Sequence, residues 1–388
     1  MVLGLSRTVW VEEIITYSPL ISTWTRSRRS RRDFRAVALV ITTCLLVGCG
    51  GIGPHTIGPD RFDYTEALST SWKQQMLGNM VKLRYGDTPV FLDVASVINQ
   101  YSIETQVDLR FTWMSPQITT GDSQSTGAAA RYVDRPTITY TPLSGERFAR
   151  SLMKPIPPPA ILSLIQAGYP IDLVLRTCVH SVNGVRNRYG GAGRPRQADP
   201  AFYAVLERLR RMQDSGALGL RVQKTGENEA VVLTFRGKVD PALEQDIIFV
   251  RQTLGLALDA QEFSVAYGSV AKDDKEIAIL SRSILEILVD LASNIEVPPE
   301  HVAQQRVMPP MPVEKTADGT EIPPLIRIHS SPSRPKDGFS SIRYRDNWYW
   351  IDDRDVRSKS LFTFLMFIFS LTETQSKEGA PIVTIPAG

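Results

Sequence analysis

Cysteine and histidine are scarce, at three and four in 388 residues. Three cysteines cannot build a disulfide framework. The histidines are His55, His180, His301 and His329, and none stands beside another or beside a cysteine pair at zinc spacing. Cys178 and His180 alone are too few ligands for a metal. Phosphate loops are missing too, with no GxxxxGK[ST] and no GxGxxG after a strand. Gly190-Gly191-Ala192-Gly193 leads into Arg194-Pro195 and not into a helix of the kind such a loop needs. GxSxG and HExxH are absent. These absences predict no cofactor, and the chain reads as a non-enzyme before an enzyme. Glycine and proline, at 26 each, are near ordinary usage and exclude a collagen-like chain. No apolar run reaches the roughly 20 residues of a lone bilayer-crossing helix.

What is present starts with charge. The formal net charge is +3, but residues 1–48 hold seven of the 44 basic and three of the 41 acidic residues. That leaves 37 basic and 38 acidic residues from position 49 onward. A body so balanced offers no global attraction to a phosphate backbone, so nucleic acid is not an expected partner.

Six arginines fall between Arg26 and Arg35, and a 12-residue apolar run, Ala36 to Val47, follows them. The length suits the apolar region of a signal peptide. The run ends in Leu46-Val47-Gly48-Cys49-Gly50. Small Val47 and Gly48 let an extended chain enter a peptidase site, and Cys49 offers a nucleophilic sulfur.

This segment resembles the lipobox of bacterial lipoproteins. The resemblance implies that Cys49 carries diacylglycerol and further palmitate-type acyl chains, and that residues 1–48 are removed. Several chains anchor durably where one is marginal. Gly50 stands where that family places an inner-membrane retention aspartate, so the implied destination is the outer membrane, with the body facing the periplasm. Ser30-Arg31-Arg32-Asp33-Phe34 also resembles a twin-arginine export motif. Residues 1–25 are atypical of a signal and read as an extension preceding it. Residues 63–100 and 340–370 are similar to exported proteins of Gram-negative bacteria, a likeness that carries no activity with it.

The remainder predicts an α+β fold with mixed helices and mainly antiparallel strands. Residues 49–62 read as a lipidated tether, 63–297 as the main domain, 298–340 as a Pro-rich excursion, and 341–388 as a hairpin and buried helix completing the domain. Leu68, Trp72, Met76, Met80 and Leu83 predict a helix from Tyr64 to Arg84. Strands are expected over Val90–Tyr101, Thr105–Trp113 and Thr137–Thr141, with a loop over 115–129. Ser144 is expected to cap a helix to Met153, and Pro159 to open another that Gly168 ends. Ile171–Val182 is apolar and of ambiguous type. Asp199-Pro200 opens a helix with Phe202, Val205, Leu206, Leu209 and Met212 on one face, and Glu207 can pair with Arg211. A hairpin around Gly226 joins Leu220–Lys224 to Ala230–Phe235. Pro241–Leu254 predicts a helix, Phe263–Gly268 and Glu276–Leu280 strands, and Ser283 a cap for Ile284–Ala292. Residues 298–335 hold nine prolines and little periodicity, which reads as an extended or partly disordered arm suited to partner contact, or as a plain connector. A tight turn at Asp346-Asn347 should join Ile342–Arg345 to Trp348–Ile351. Leu361–Phe369 reads as a core helix, and Ile382–Ile385 as a last strand.

Three constellations remain as candidates. His180 is either a general base or a satisfied structural histidine. Asp352, Asp353 and Asp355 either bind a divalent cation or cap a helix. Arg343, Arg345, Trp348, Tyr349 and Trp350 form either an interface or ligand surface, or a sheet face with stacked cations. The functional expectation is a lipid-anchored structural or binding component of a cell-envelope assembly, with envelope proteins as partners. The alternatives are an envelope hydrolase whose site is assembled from distant residues, and a small-ligand sensor using the Trp/Arg face.

Overall fold

A computed structural model describes residues 53–98, 101–109, 126–134, 137–143, 146–191, 195–225, 228–235, 240–316 and 319–373. The expected signal segment, Cys49 and the expected strand Ile382–Ile385 therefore lie outside the described residues. The chain is an α+β protein with mainly antiparallel sheets. It divides into two compact units.

One unit takes residues up to Thr65 and 92–141. Helix α1 (Gly53–Arg84) begins in it, earlier than the Tyr64 its apolar spacing suggests. Strand β1 (Phe91–Ile98) pairs with β4 (Thr137–Leu143), and β2 (Tyr101–Leu109) pairs antiparallel with β3 (Thr126–Asp134), Tyr101 opposite Asp134. β3 replaces the end of the loop expected over 115–129, where Ala128, Ala129 and Ala130 find strand partners in Val107, Gln106 and Thr105.

The other unit runs from Glu66 to Phe91 and from Pro142 onward. Here α1 buries Met76, Leu77, Met80 and Val81, the three-and-four spacing of one helix face. Asn79 fixes the chain that follows: Nδ2 donates to the Val90 carbonyl at 2.8 Å, and Oδ1 accepts from the Val90 N–H at 2.9 Å. Helices α2 (Glu146–Met153), α3 (Pro158–Gln166) and α4 (Ile171–Cys178) follow. The ambiguous apolar stretch thus divides at Cys178, and β5 (Val179–Val182) takes its last four residues. Then come β6 (Val185–Arg186), α5 (Pro200–Asp214), β7 (Leu218–Thr225), β8 (Asn228–Phe235), α6 (Pro241–Leu254), β9 (Glu262–Tyr267), β10 (Glu276–Ser281) and α7 (Ile284–Ala292).

The main sheet has the order β6-β5-β10-β9-β8-β7. All its pairs are antiparallel except β9–β10, joined by the eight residues 268–275. Parallel neighbours usually need a dozen residues or more. Eight suffice here because Glu276 pairs level with Ser264, so the link runs back only a few positions. Helices α3, α4, α5 and α6 pack on this sheet around a wholly apolar void of about 30 Å³, bounded among others by Ile165, Leu175, Leu209, Val250, Phe235 and Ile279. That is too small for a ligand. The apolar stripe of α5 is buried as its spacing predicts, and Arg211 meets Glu207 at 2.6 Å. Asp240 caps α6, Gly255 ends it with φ of 65°, and Ser283 with Glu286 forms a full capping box on α7.

The Pro-rich stretch departs from expectation. It holds α8 (Pro299–Ala303), β11 (Glu314–Lys315), β12 (Glu321–Ile322) and β13 (His329–Ser331), and it buries Val307, Leu325, Ile326 and Ile328 in the core. Arginine side chains take up its carbonyls: Arg84 donates to Met308 at 2.7 Å and Arg176 to Pro323 at 3.1 Å. His301 is buried, its Nδ1 2.6 Å from the Tyr85 hydroxyl, which also meets the Tyr349 hydroxyl at 2.6 Å.

Strand β14 (Gly338–Tyr344) and β15 (Asn347–Asp352) make the C-terminal hairpin, in a sheet of order β13-β15-β14. The turn pair is Arg345-Asp346, one residue earlier than expected, with φ of 46° and 66°. Positive φ at both positions matches the strand twist of a two-residue hairpin. Helix α9 (Val356–Glu373) buries Leu361, Phe362, Phe364, Leu365, Ile368 and Phe369. Among the described residues no helix is long and apolar enough to cross a membrane.

Candidate functional site

His180 stands on β5 where α7 begins. Its Nε2 lies 3.3 Å from Glu286 Oε1, and the Tyr189 ring meets its edge at 5.2 Å. Burial first, then the Arg282 charge, hold His180 below its usual pKa, against the opposing pull of Glu286. Burial pushes Glu286 upward, but hydrogen bonds from the Ser283 backbone, the Ser283 hydroxyl and His180 outweigh it, so its pKa is lowered.

A hydrolase would need a nucleophile on the histidine. Ser283 shares Glu286 with the histidine, and its hydroxyl sits on Glu286 Oε2 at 3.0 Å. The order is serine–carboxylate–histidine, a helix cap with a histidine added, and not a relay through the imidazole. Cys178, two residues earlier, is fully buried, and burial pushes its thiol up to about 12, which keeps it protonated and inert. The Ser151 hydroxyl is turned away to its own helix, donating to the Phe148 carbonyl at 2.7 Å.

Behind His180 lies a buried charge network that sequence reasoning missed. Arg282 is fully buried and its Nη1 meets Asp290 Oδ2 at 3.0 Å. Asp290 Oδ1 accepts from the Gly190 N–H at 2.6 Å, and Arg188 Nε lies 3.8 Å from it. Arg188 in turn reaches Ser293 and Asn294. The network ties residues 187–190 to α7. A side chain at Gly190 would strike Ser293, with Oγ only 2.0 Å from the added carbon. The available signal was Arg282 itself, a lone charge closing the apolar run from Ile277.

The aspartate cluster is engaged by the start of α9. Asp355 accepts from the Ser358 N–H at 3.0 Å and the Ser358 hydroxyl at 2.7 Å. Burial raises the Asp355 pKa, but these bonds outweigh it and leave it lowered. Asp353 pairs with Lys359 at 2.7 Å, and Asp352 accepts from the Arg354 N–H at 2.8 Å. Among the described residues no group of three carboxylate, histidine or cysteine side chains is placed to hold a metal ion.

The five residues of the Trp/Arg candidate do not share one surface. Strand alternation sends Tyr349 inward, fully buried, while Trp348 and Trp350 point outward and are half-buried. Arg343 lies opposite Trp348 in register and pairs with Asp346 at 3.1 Å. Arg345 turns back over Tyr85, 4.9 Å from the ring centroid, and pairs with Asp87 at 3.0 Å. The outward row is completed by Arg334 over Trp348 at 5.3 Å and His329 beside Trp350 at 5.4 Å. Glu296 holds His329 Nδ1 at 3.1 Å. No known protein family, curated protein or solved structure matches the chain.

Proposed function

We propose that the protein is a lipid-anchored, periplasm-facing component of a bacterial cell-envelope assembly, held at the outer membrane by acyl chains on Cys49. One observation carries the reading. An arginine-rich flank, a 12-residue apolar run and Leu46-Val47-Gly48-Cys49 stand in the order that export, cleavage and lipidation require. Support comes from the body, whose near-neutral charge and buried apolar helices suit a water-facing domain that needs an anchor to stay at a bilayer.

The test is the mass of the native protein isolated from membranes. A mature chain beginning at Cys49 with diacylglycerol on its sulfur is expected, and Cys49→Ser should release the body from the membrane fraction. A native chain that begins upstream of position 49, or bears no lipid mass there, overturns the proposal. Envelope proteins recovered in stoichiometric amount from detergent extracts would identify the assembly.

The hydrolase reading keeps one favourable observation, the His180–Glu286 pair at 3.3 Å. Substitution of His180 by Gln should then abolish any hydrolysis found in the purified protein while leaving its membrane association intact.

A further inference from the structure

Strands β2 and β3 form a ribbon of facing pairs that runs from Tyr101 opposite Asp134 to Leu109 opposite Thr126. Successive residues of a strand fall on opposite faces, and directly opposed residues share a face. The register therefore sorts this ribbon by polarity. One face carries Ile103, Val107 and Leu109, with Tyr132 and Ala128 opposite the first two. The other carries Glu104 opposite Arg131, then Gln106 and Asp108. Of the charged residues in the two strands only Asp134 falls on the apolar face, and it stands at the ribbon's end. Past Leu109 the sequence keeps the alternation, as Arg110-Phe111-Thr112-Trp113. We infer that this ribbon crosses a lipid bilayer as one section of a β-barrel that several copies of the chain close together.

Length, pattern and edges all select that environment. Each strand has 9 residues, which at about 3.4 Å apiece is the span of a tilted membrane strand. A barrel wall meets lipid on one side and water on the other, and it reads as apolar and polar residues in strict alternation. Tyr101 and Tyr132 fall on the apolar face near one end, where such walls carry their aromatic girdle. A strand of a water-soluble core would have its apolar face covered. Among the described residues, β2 and β3 pair only with each other, and no other element packs substantially on either. Each strand thus keeps an open edge. Hydrocarbon has no water to satisfy such an edge, so a lone ribbon cannot enter it. Copies paired edge to edge and closed into a ring satisfy every backbone group, and the Glu104 face then lines a wet interior.

The inference rests on the envelope reading for its membrane, yet the two fail separately. Acyl chains on Cys49 deliver the ribbon to the bilayer in the cell, and reconstitution from detergent bypasses that delivery. The test uses the full chain in vesicles of dioleoylphosphatidylcholine containing a nitroxide-labelled phosphatidylcholine. Single cysteines are introduced by Ile103→Cys, Glu104→Cys, Thr105→Cys, Gln106→Cys and Val107→Cys, and each is coupled to an environment-sensitive fluorophore. Cys178 is buried and inert, so it takes up none. Label on the parent chain would mean a free Cys49, which sinks the anchor, and the same scan in a Cys49→Ser background still reads the ribbon. Nitroxide lipid should quench positions 103, 105 and 107, and aqueous iodide should quench 104 and 106. In addition, Val107→Arg should abolish an oligomer that resists cold SDS, and Gln106→Arg should leave it intact. Should Val107→Arg fail to fold, the cysteine scan decides alone, because its substitutions are small and uncharged. Quenching without alternation overturns the inference. So does shielding of 103, 105 and 107 from both quenchers, which would make the apolar face a contact between proteins.

Discussion

Arg282 and Asp290 form an ion pair with both side chains out of water, Nη1 to Oδ2 at 3.0 Å, in which a lone charge from the end of β10 meets the one carboxylate of α7 that faces inward. The pair is geometric cement. Arg282 also donates to the carbonyls of Arg176 and Thr177 at 3.3 Å, so it closes the end of α4, and Asp290 draws in the 187–190 segment through Gly190. The His180 surroundings inherit their shape from this network.

Removing one partner leaves the other charge buried without compensation. Asp290→Ala should cost about 3–5 kcal/mol in unfolding free energy. Arg282→Met should cost a similar amount, and the two together less than the sum, because the second change removes a charge already stranded. Urea denaturation of the four proteins in the cycle measures this. Additive losses would mean that the two side chains do not act as a pair.

The His180 environment makes stability fall in mild acid. Its folded pKa is below the ordinary 6.5, so the unfolded chain binds the proton first. Stability is therefore full above about 6.5 and declines as pH drops from there toward the folded value. Glu286, also lowered, adds a loss of the same sign further down, as pH falls from its ordinary 4.5 through its lower folded value. Groups facing His180 include Arg282, Arg196, Tyr189 and Glu286. His180→Gln should flatten the upper part of this slope. Urea midpoints between pH 8 and pH 5 that match for both proteins would contradict it.

Much of the fold was legible because its helices carry strong local signals. The α5 stripe, the Pro241 start of α6 and the Ser283 cap each agree with the packing that uses them. Other regions were opaque for a physical reason. Ile171–Val182 sets Ile171, Val174, Leu175 and Cys178 at helical spacing but runs straight on into Val179-His180-Ser181-Val182, so no single period covers it, and the change at Cys178 is imposed by pairing of Val179, Ser181 and Val182 with β10. The Pro-rich stretch lacks periodicity because arginine side chains, and not a regular ladder, take up carbonyls such as those of Met308 and Pro323. In the candidate site, period-two alternation already separates Tyr349 from Trp348 and Trp350. Glu286 as partner of His180, 106 positions away, was beyond reach of any local pattern.

Calcium should leave the melting temperature unchanged, since Asp352, Asp353 and Asp355 each serve a neighbour at the start of α9. Substitution separates their roles. Asp355→Ala removes the side chain that holds the Ser358 N–H and hydroxyl, and should cost about 1 kcal/mol, the usual worth of a helix cap. Asp353→Asn breaks only an exposed pair with Lys359 and should cost under about 0.5 kcal/mol. Thermal melts with calcium and with chelator, and denaturant curves of the variants, decide this. A calcium-dependent rise in melting temperature would restore the metal reading.

The hairpin turn offers a gain in place of a loss. Arg345 and Asp346 both sit at positive φ, 46° and 66°, where a side chain crowds its own backbone. Arg345 is held there by Asp87 and by the Tyr85 ring, so changing it would remove contacts as well as strain. Asp346 has less to lose. Its partner Arg343 is 63% exposed and Asp346 itself 94%, a pair that solvent screens nearly to nothing. Glycine at the second turn position is also the residue this turn type favours. Asp346→Gly should therefore raise the urea midpoint, by about 0.5–1 kcal/mol in free energy, without altering the register between Tyr344 and Asn347. A loss of stability would mean that the Arg343 pair or the carboxylate itself supports the turn more than exposure allows.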